Sequence, residues 1–191
     1  MARGTRLSAE DWTEAALAAL GEGGLGAVAV EPLAARLGTT KGSFYWHFRN
    51  RDALLAATLD RWERVDTEDV IARAERADGP YARLRFLLAG ALRDDPDLPA
   101  GNAVELALQA SAAHPLVAPV LARVTRRRLD YLTAQFVALG FDAAEAGRRS
   151  LLAYTAYLGH AQLAHATPAI TPDGPELRAY VEAVLCRLTG P

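Results

Sequence analysis

Thr40, Lys41, Ser43, Tyr45, Trp46 and His47 are crowded into one short stretch of the chain, with Arg49 and Arg51 just beyond. This is chemistry for an anionic, hydrogen-bonding partner. Tyr and Trp can donate to phosphate oxygens, and their rings pack on sugars or on a thymine methyl. Thr40 and Lys41 stand near a helix amino end, itself favourable for phosphate, and can reach bases or phosphates. Arg49 and Arg51 fit as phosphate clamps. Arg3 and Arg6 could reach a neighbouring groove or phosphates as a basic arm.

The elements that must hold these residues are readable on either side. A short apolar helix, Val30 to Leu37, stops at Gly38. A three-residue turn and a second helix of about two turns follow, the pattern that seats a recognition helix in a DNA major groove. Phe44 and Phe48 are four apart and share a face. With Leu33 and Leu37 they should close a small core, which leaves Ser43, Tyr45, Trp46 and His47 outward. Pro32 falls in the first turn of its helix, where a missing N–H costs little. Upstream, Ser8 reads as an N-cap, with Asp11 as a partial capping box and Leu7 and Trp12 as a staple. Trp12, Ala16, Leu17 and Leu20 give that helix its apolar face, and the glycines of residues 21–26 end it.

The remaining sequence reads as further helices. Asn50 caps a long one, roughly residues 51–77, apolar through Leu54, Leu55, Thr58, Leu59 and Trp62 and charged beyond. Asp78-Gly79-Pro80 breaks it. Helices follow over 81–93, 102–113, 116–139, 142–166 and 176–188, with a loop at 94–99. No alternating apolar run is bounded by hairpin turns, so the fold class is all-α, about nine helices. Residues 1–51 form a helix-turn-helix head and 52–191 a ligand-binding and dimerisation body.

A head of this kind reads one half-site, so two copies about 34 Å apart would read a palindrome. The body must supply the pairing. Leu151, Leu152, Thr155, Leu158, Gly159 and Gln162 lie near one stripe, rich in small residues. Tyr180, Val184, Leu185 and Leu188 supply another. Residues 81–139, between the long fourth helix and these, should enclose a pocket. Trp62, Phe86, Leu87, Leu108, Tyr131, Gln135, Tyr154 and Tyr157 are its candidate walls, suited to a drug-sized apolar or aromatic molecule.

Bulk properties agree. The chain has 191 residues, 51% hydrophobic and 23% charged, with net charge -2, ordinary for a folded domain. Residues 1–51 carry six Lys+Arg against five Asp+Glu, and 52–191 carry 15 against 18, so the head is the positive part. One cysteine, Cys186, excludes an internal disulfide; its neighbours Val184, Leu185 and Leu188 suggest a buried position. A reducing cytoplasm is the expected home. No signal-peptide core and no apolar stretch of about 18 residues is found, so no membrane is expected.

The run from Gly38 to Leu55, Gly-Thr-Thr-Lys-Gly-Ser-Phe-Tyr-Trp-His-Phe-Arg-Asn-Arg-Asp-Ala-Leu-Leu, resembles the signature of the TetR (tetracycline-repressor-type) family of bacterial transcription regulators. The specific match covers about residues 8–58; the later part agrees in helix count and length. The resemblance implies an all-α homodimer with three DNA-binding helices and a ligand-binding body. It implies base or phosphate contacts at Thr39, Thr40, Lys41, Ser43, Tyr45, Trp46 and His47, and a phosphate contact at Arg51, where the family usually has Lys. Its last two long helices would pack with their mates as a four-helix bundle. The implied mechanism is a population shift, in which a small-molecule effector moves the fourth helix and changes the separation of the heads. Ala29 departs from the pattern: the family usually has a capping Thr or Ser there.

The expected function is therefore a ligand-responsive regulator, most simply a repressor, released from a palindromic operator by a small apolar or aromatic effector. Its partners are double-stranded DNA, a second copy of the chain and an effector whose identity the sequence does not give. The rival classes are a helical protein-interaction adaptor and a small-molecule-binding enzyme without DNA binding. The exposed aromatic and basic cluster argues against the adaptor. For an enzyme the chain lacks a phosphate loop, a nucleophile elbow and a zinc spacing among His47, His114, His160 and His165. No cofactor or metal is expected, and Arg126, Arg127 and Arg128, successive on a helix, point in different directions.

Overall fold

A computed structural model describes residues 7–92 and 102–190. Arg3 and Arg6 and the expected loop at 94–99 lie outside the described residues. Among those described there is no strand. The α-helices are α1 (Ala9–Ala27), α2 (Val30–Arg36), α3 (Lys41–Phe44), α4 (Arg51–Glu63), α5 (Asp69–Ala74), α6 (Gly79–Leu92), α7 (Asn102–Ala110), α8 (Val117–Ala138), α9 (Ala143–Ala166) and α10 (Gly174–Thr189). A π-helical segment, Arg64–Glu68, joins α4 to α5. The expected single helix over 51–77 is thus continuous but carries a π irregularity. With these three segments taken as one, the described α-helices number nine, and a short 3-10 turn, Pro168–Ile170, precedes the last.

The chain packs as two units. The first is Met1–Val65 with Ala103–Ala122; the second is Asp66–Asn102 with Arg123–Pro191. The packing boundary therefore falls at Val65/Asp66 rather than after Arg51. The reason is in α4: Leu54, Leu55, Thr58, Leu59 and Trp62 are all buried, and α4 packs chiefly on α1.

In the first unit, α1 begins with a complete capping box, Ser8 and Asp11 bonding each other's backbone N–H. The shorter Asp closes it as well as Glu would. These bonds, first among them the Ser8 backbone N–H, hold the Asp11 carboxyl below its ordinary range. The helix kinks at Gly23 and Gly24, the latter at φ 68°, where a side chain would be strained. Trp12 meets Phe44 edge-on at 5.3 Å, and Phe44 stacks on Phe48 at 5.7 Å. Arg61 of α4 binds Glu10 of α1 at 2.7 Å.

In the second unit, α6, α8, α9 and α10 bury Leu84, Leu88, Phe136, Ala153, Val181 and Leu185 against one another. Arg149 ties α9 to the end of α10: it donates to the Leu188 and Gly190 carbonyls at 2.7 Å and lies 3.9 Å over the Phe141 ring. Those carbonyls are among the ones a helix carboxyl end leaves unpaired. A smaller cluster, Ile71, Ala74 and Tyr131 with Phe86 and Leu87, joins α5, α6 and α8. The π segment is held from α8. Arg128 donates to Thr67 Oγ1 at 3.0 Å and the Asp66 carbonyl at 3.2 Å; Arg127 grips Glu68 with two bonds, 3.0 and 3.1 Å. Two of the three consecutive arginines thus have built-in partners.

Candidate nucleic-acid interface

The recognition element is shaped at both ends by local backbone chemistry. After α2 the chain closes a Schellman motif: Thr39 N–H bonds the Ala34 carbonyl at 2.9 Å, Gly38 N–H that of Ala35 at 3.1 Å, with Gly38 at φ 63°. Only glycine enters that region at little cost. Ala29 stands at the N-cap of α2 and makes no side-chain cap, as its apolar methyl dictates. Helix α3 is one turn, Lys41–Phe44, shorter than the two expected, and continues as turns through His47.

The faces divide as the spacing requires. Phe44 is fully buried and Phe48 nearly so, whereas Tyr45 is 56% and Trp46 81% exposed. Burying a Phe is worth about 1.5–3 kcal/mol, and leaving a Trp in water forgoes as much. Thr40 and Lys41 are also exposed, and Thr39, Ser43 and His47 half-exposed. Donors, a cation and two aromatic rings thus share one surface of the head.

Two side chains have partners that the sequence did not reveal. Lys41 Nζ donates to Glu31 Oε1 of α2. That bond raises the Lys41 pKa and lowers that of Glu31. Both groups are surface groups, so the pair is screened and replaceable. It is present above the ordinary carboxylate range and lost as pH falls through the lowered Glu31 value. Arg51, expected on phosphate, donates Nε to the Val28 carbonyl at 2.6 Å and a terminal nitrogen to that of Leu25. It fastens the start of α4 to the end of α1 and the link to α2. The cue was weak: only folding brings residues 25 and 51 together.

Residues 13–58 match the family model described as bacterial regulatory proteins, tetR family. Over this head the chain is similar to the tetR family of regulators. Solved structures agree over nearly the full length in fold. A transcriptional regulator from Rhodococcus sp. Rha1 is 24% identical, with TM-score 0.76, covering 96% of this chain and 95% of that one. The transcriptional regulator FadR from Bacillus subtilis, in complex with stearoyl-CoA, is 15% identical with TM-score 0.71, covering 96% and 98%. SmeT, repressor of the Stenotrophomonas maltophilia multidrug efflux pump SmeDEF, is 19% identical with TM-score 0.67, covering 96% and 89%. No curated protein sequence matches. TetR regulators bind DNA and, in general, respond to small molecules, and the all-α body here has the fold of such proteins.

The other expected sites divide by unit. Of the candidate pocket walls, Trp62 and Leu108 belong to the first unit, where both are fully buried. Phe86, Leu87, Tyr131, Gln135, Tyr154 and Tyr157 belong to the second. Tyr131, Gln135 and Tyr154 are buried, and Phe86, Leu87 and Tyr157 half-buried. Tyr154 already has a hydroxyl partner, Thr125 at 3.3 Å.

Of the expected pairing face, Leu151, Leu152, Thr155, Gly159, Gln162 and Tyr180 are exposed and Leu158 half-buried. Leu188, only 2% exposed, and the half-buried Val184 are core instead, packed with Leu84 and Val181. Cys186 is exposed, not buried. Helix α10 carries two stripes one residue out of phase, and these assignments mixed them. Among the described residues no helix is long and apolar enough to cross a membrane, and no group of His, Cys, Asp or Glu could hold a metal.

Proposed function

We propose that this chain is a homodimeric, effector-released repressor of the tetR family whose head reads a palindromic operator through Thr39, Thr40, Lys41, Ser43, Tyr45, Trp46 and His47. The observation that carries this reading is the exposure of Tyr45 and Trp46 beside the buried Phe44 and Phe48. Large aromatics left in water beside a sealed core mark a surface that a partner covers. Lys41 exchanges Glu31 for a phosphate on binding, a swap between two exposed anions. Arg51 acts by holding α4 to α1, with its phosphate role secondary; Arg3 and Arg6 extend the contact as an arm. The protein works in the cytoplasm, where its DNA is.

Pairing runs through the exposed face of α9 and α10: Leu151, Leu152, Thr155, Leu158, Gly159, Gln162 and Tyr180. Exposed leucines beside a glycine suit close approach of a second copy. The effector is small and largely apolar. FadR, of the same fold, was solved with stearoyl-CoA, whose acyl chain is a long apolar group. Effector binding shifts the population toward a form whose heads no longer match adjacent grooves, by no more than its differential affinity for the two forms.

The test is a gel shift on the DNA upstream of the gene, with light scattering to read the oligomer. Retardation of a palindromic fragment as a dimer supports the reading, and Tyr45→Ala and Lys41→Ala weaken it without unfolding. Absence of retardation at low salt sinks it.

A further inference from the structure

The second unit keeps an unsatisfied amide in its interior. Gln135 on α8 is only 5% exposed, yet its Oε1 has no hydrogen-bond partner, while its Nε2 reaches the Tyr131 carbonyl only at 3.5 Å. One turn earlier on the same helix face stands Tyr131, 8% exposed. No group meets its hydroxyl in hydrogen-bond geometry, although the Glu75 carboxylate is near. Burial first, and Glu75 second, push this hydroxyl up to about 12, so it remains a donor across the physiological range. Tyr131 is packed against Ile71, Ala74, Phe86 and Leu87.

A buried carbonyl oxygen without a donor destabilises the fold. Native proteins leave few of them, and each one asks for a water, an ion or a ligand. Here one such oxygen, Gln135 Oε1, and one hydroxyl without a partner, that of Tyr131, belong to residues one helical turn apart, and Tyr131 packs in an apolar cluster. The neighbouring charges cancel, since Arg83 pairs with Glu75 at 3.0 Å and Arg127 with Glu68 at 3.0 Å. A charged ligand head would gain no unpaired counterion among these groups. A neutral hydroxyl has the matching chemistry for both, since it can donate to the Gln135 oxygen and accept from the Tyr131 hydroxyl.

We infer that Gln135 and Tyr131 form the polar end of the effector site, and that the effector is a neutral, largely apolar molecule bearing a hydroxyl group. This rests on the effector-responsive reading above and narrows its ligand class. The free protein retains Gln135 at a cost in stability that the ligand's hydroxyl offsets.

The experiment uses the full chain, wild type and Gln135→Met, with Tyr131→Phe as a second variant. Thermal unfolding is followed with 4-tert-butylcyclohexanol and 2-naphthol, each beside its hydrocarbon, tert-butylcyclohexane and naphthalene. The expected result has two parts. Without ligand, Gln135→Met melts about 2–4 °C higher than wild type, because the orphaned oxygen is gone. With ligand, the alcohols stabilise the wild type more than their hydrocarbons do, and their affinity falls about 5–10-fold in each variant.

A lower melting point for Gln135→Met shows an amide already satisfied in the free protein, for example by an internal water, and overturns the inference. So does equal stabilisation by alcohol and hydrocarbon, or none by either alcohol. Operator binding is measured on the same samples. Alcohol binding that depends on Gln135 but leaves operator affinity unchanged keeps the site and sinks its regulatory role; loss of all operator binding without ligand sinks the DNA reading alone.

Discussion

The two packing units differ in how much of their hydrogen-bonding chemistry they display. The first holds an aromatic core, with Trp12 Nε1 buried in it without a partner, and sets a lysine, hydroxyls and two rings outside, with Trp46 81% exposed. The second buries its unmatched groups, Gln135 and Tyr131, on α8. A surface for a large anionic partner must display its contacts and let them be exchanged, and the exposed Lys41–Glu31 pair is one that can open. A site for a small molecule must keep water away from its polar atoms until the molecule supplies the partner. The same contrast should separate their tolerance to change: loss of the core should unfold the head, whereas Gln135→Met should stabilise the body.

The sharpest way to break the comparison is in the head core. Phe44→Ala removes a fully buried ring between Trp12 and Phe48. It should cost about 3–5 kcal/mol in denaturant unfolding, and operator binding should vanish with the folded head. Unfolding within 1 kcal/mol of wild type would mean that the aromatic core does not hold the recognition turn. Next in size is Arg128→Met. It strips the buried Thr67 hydroxyl and the Asp66 carbonyl of their donor, with an expected loss of about 1–3 kcal/mol. A melting point equal to wild type would show that the π segment stands without α8.

Smaller still is Ala29→Ser. The N-cap of α2 has no side-chain acceptor, and a serine should add about 1 kcal/mol, read as a higher melting point with operator affinity unchanged or improved. The smallest effect belongs to Glu31→Gln, which frees Lys41 on the surface. Operator binding should tighten a few-fold at low salt, with the gain fading as salt screens it. Weaker binding at low salt would make Glu31 a positioning residue for Lys41 rather than its competitor.

How much of this could be read in the residues follows the range of the interactions. The Ser8 box, the Gly38 stop, the bare Ala29 cap and the Phe44/Phe48 face depend on neighbours within one or two turns, and the sequence shows them. Arg51 bonds carbonyls 23 and 26 residues away, so it looked like a free clamp. The π segment was invisible because residues 51–77 contain no Pro or Gly; what holds it is two arginines of a distant helix. Apolar stripes on α10 were legible as stripes, but not as core or surface. Leu188 and Tyr180 both keep helical spacing, and only packing tells that the first is sealed and the second is not.

The central claim, that the outward face around α3 meets DNA, has a built-in reporter. Of the three tryptophans, Trp12 and Trp62 are fully buried and only Trp46 stands in solvent. Acrylamide quenching of intrinsic fluorescence should therefore show one accessible tryptophan class in the free protein, absent from Trp46→Phe. On saturation with a palindromic operator duplex that class should become protected. Quenching of Trp46 that stays unchanged at saturating operator would contradict the account.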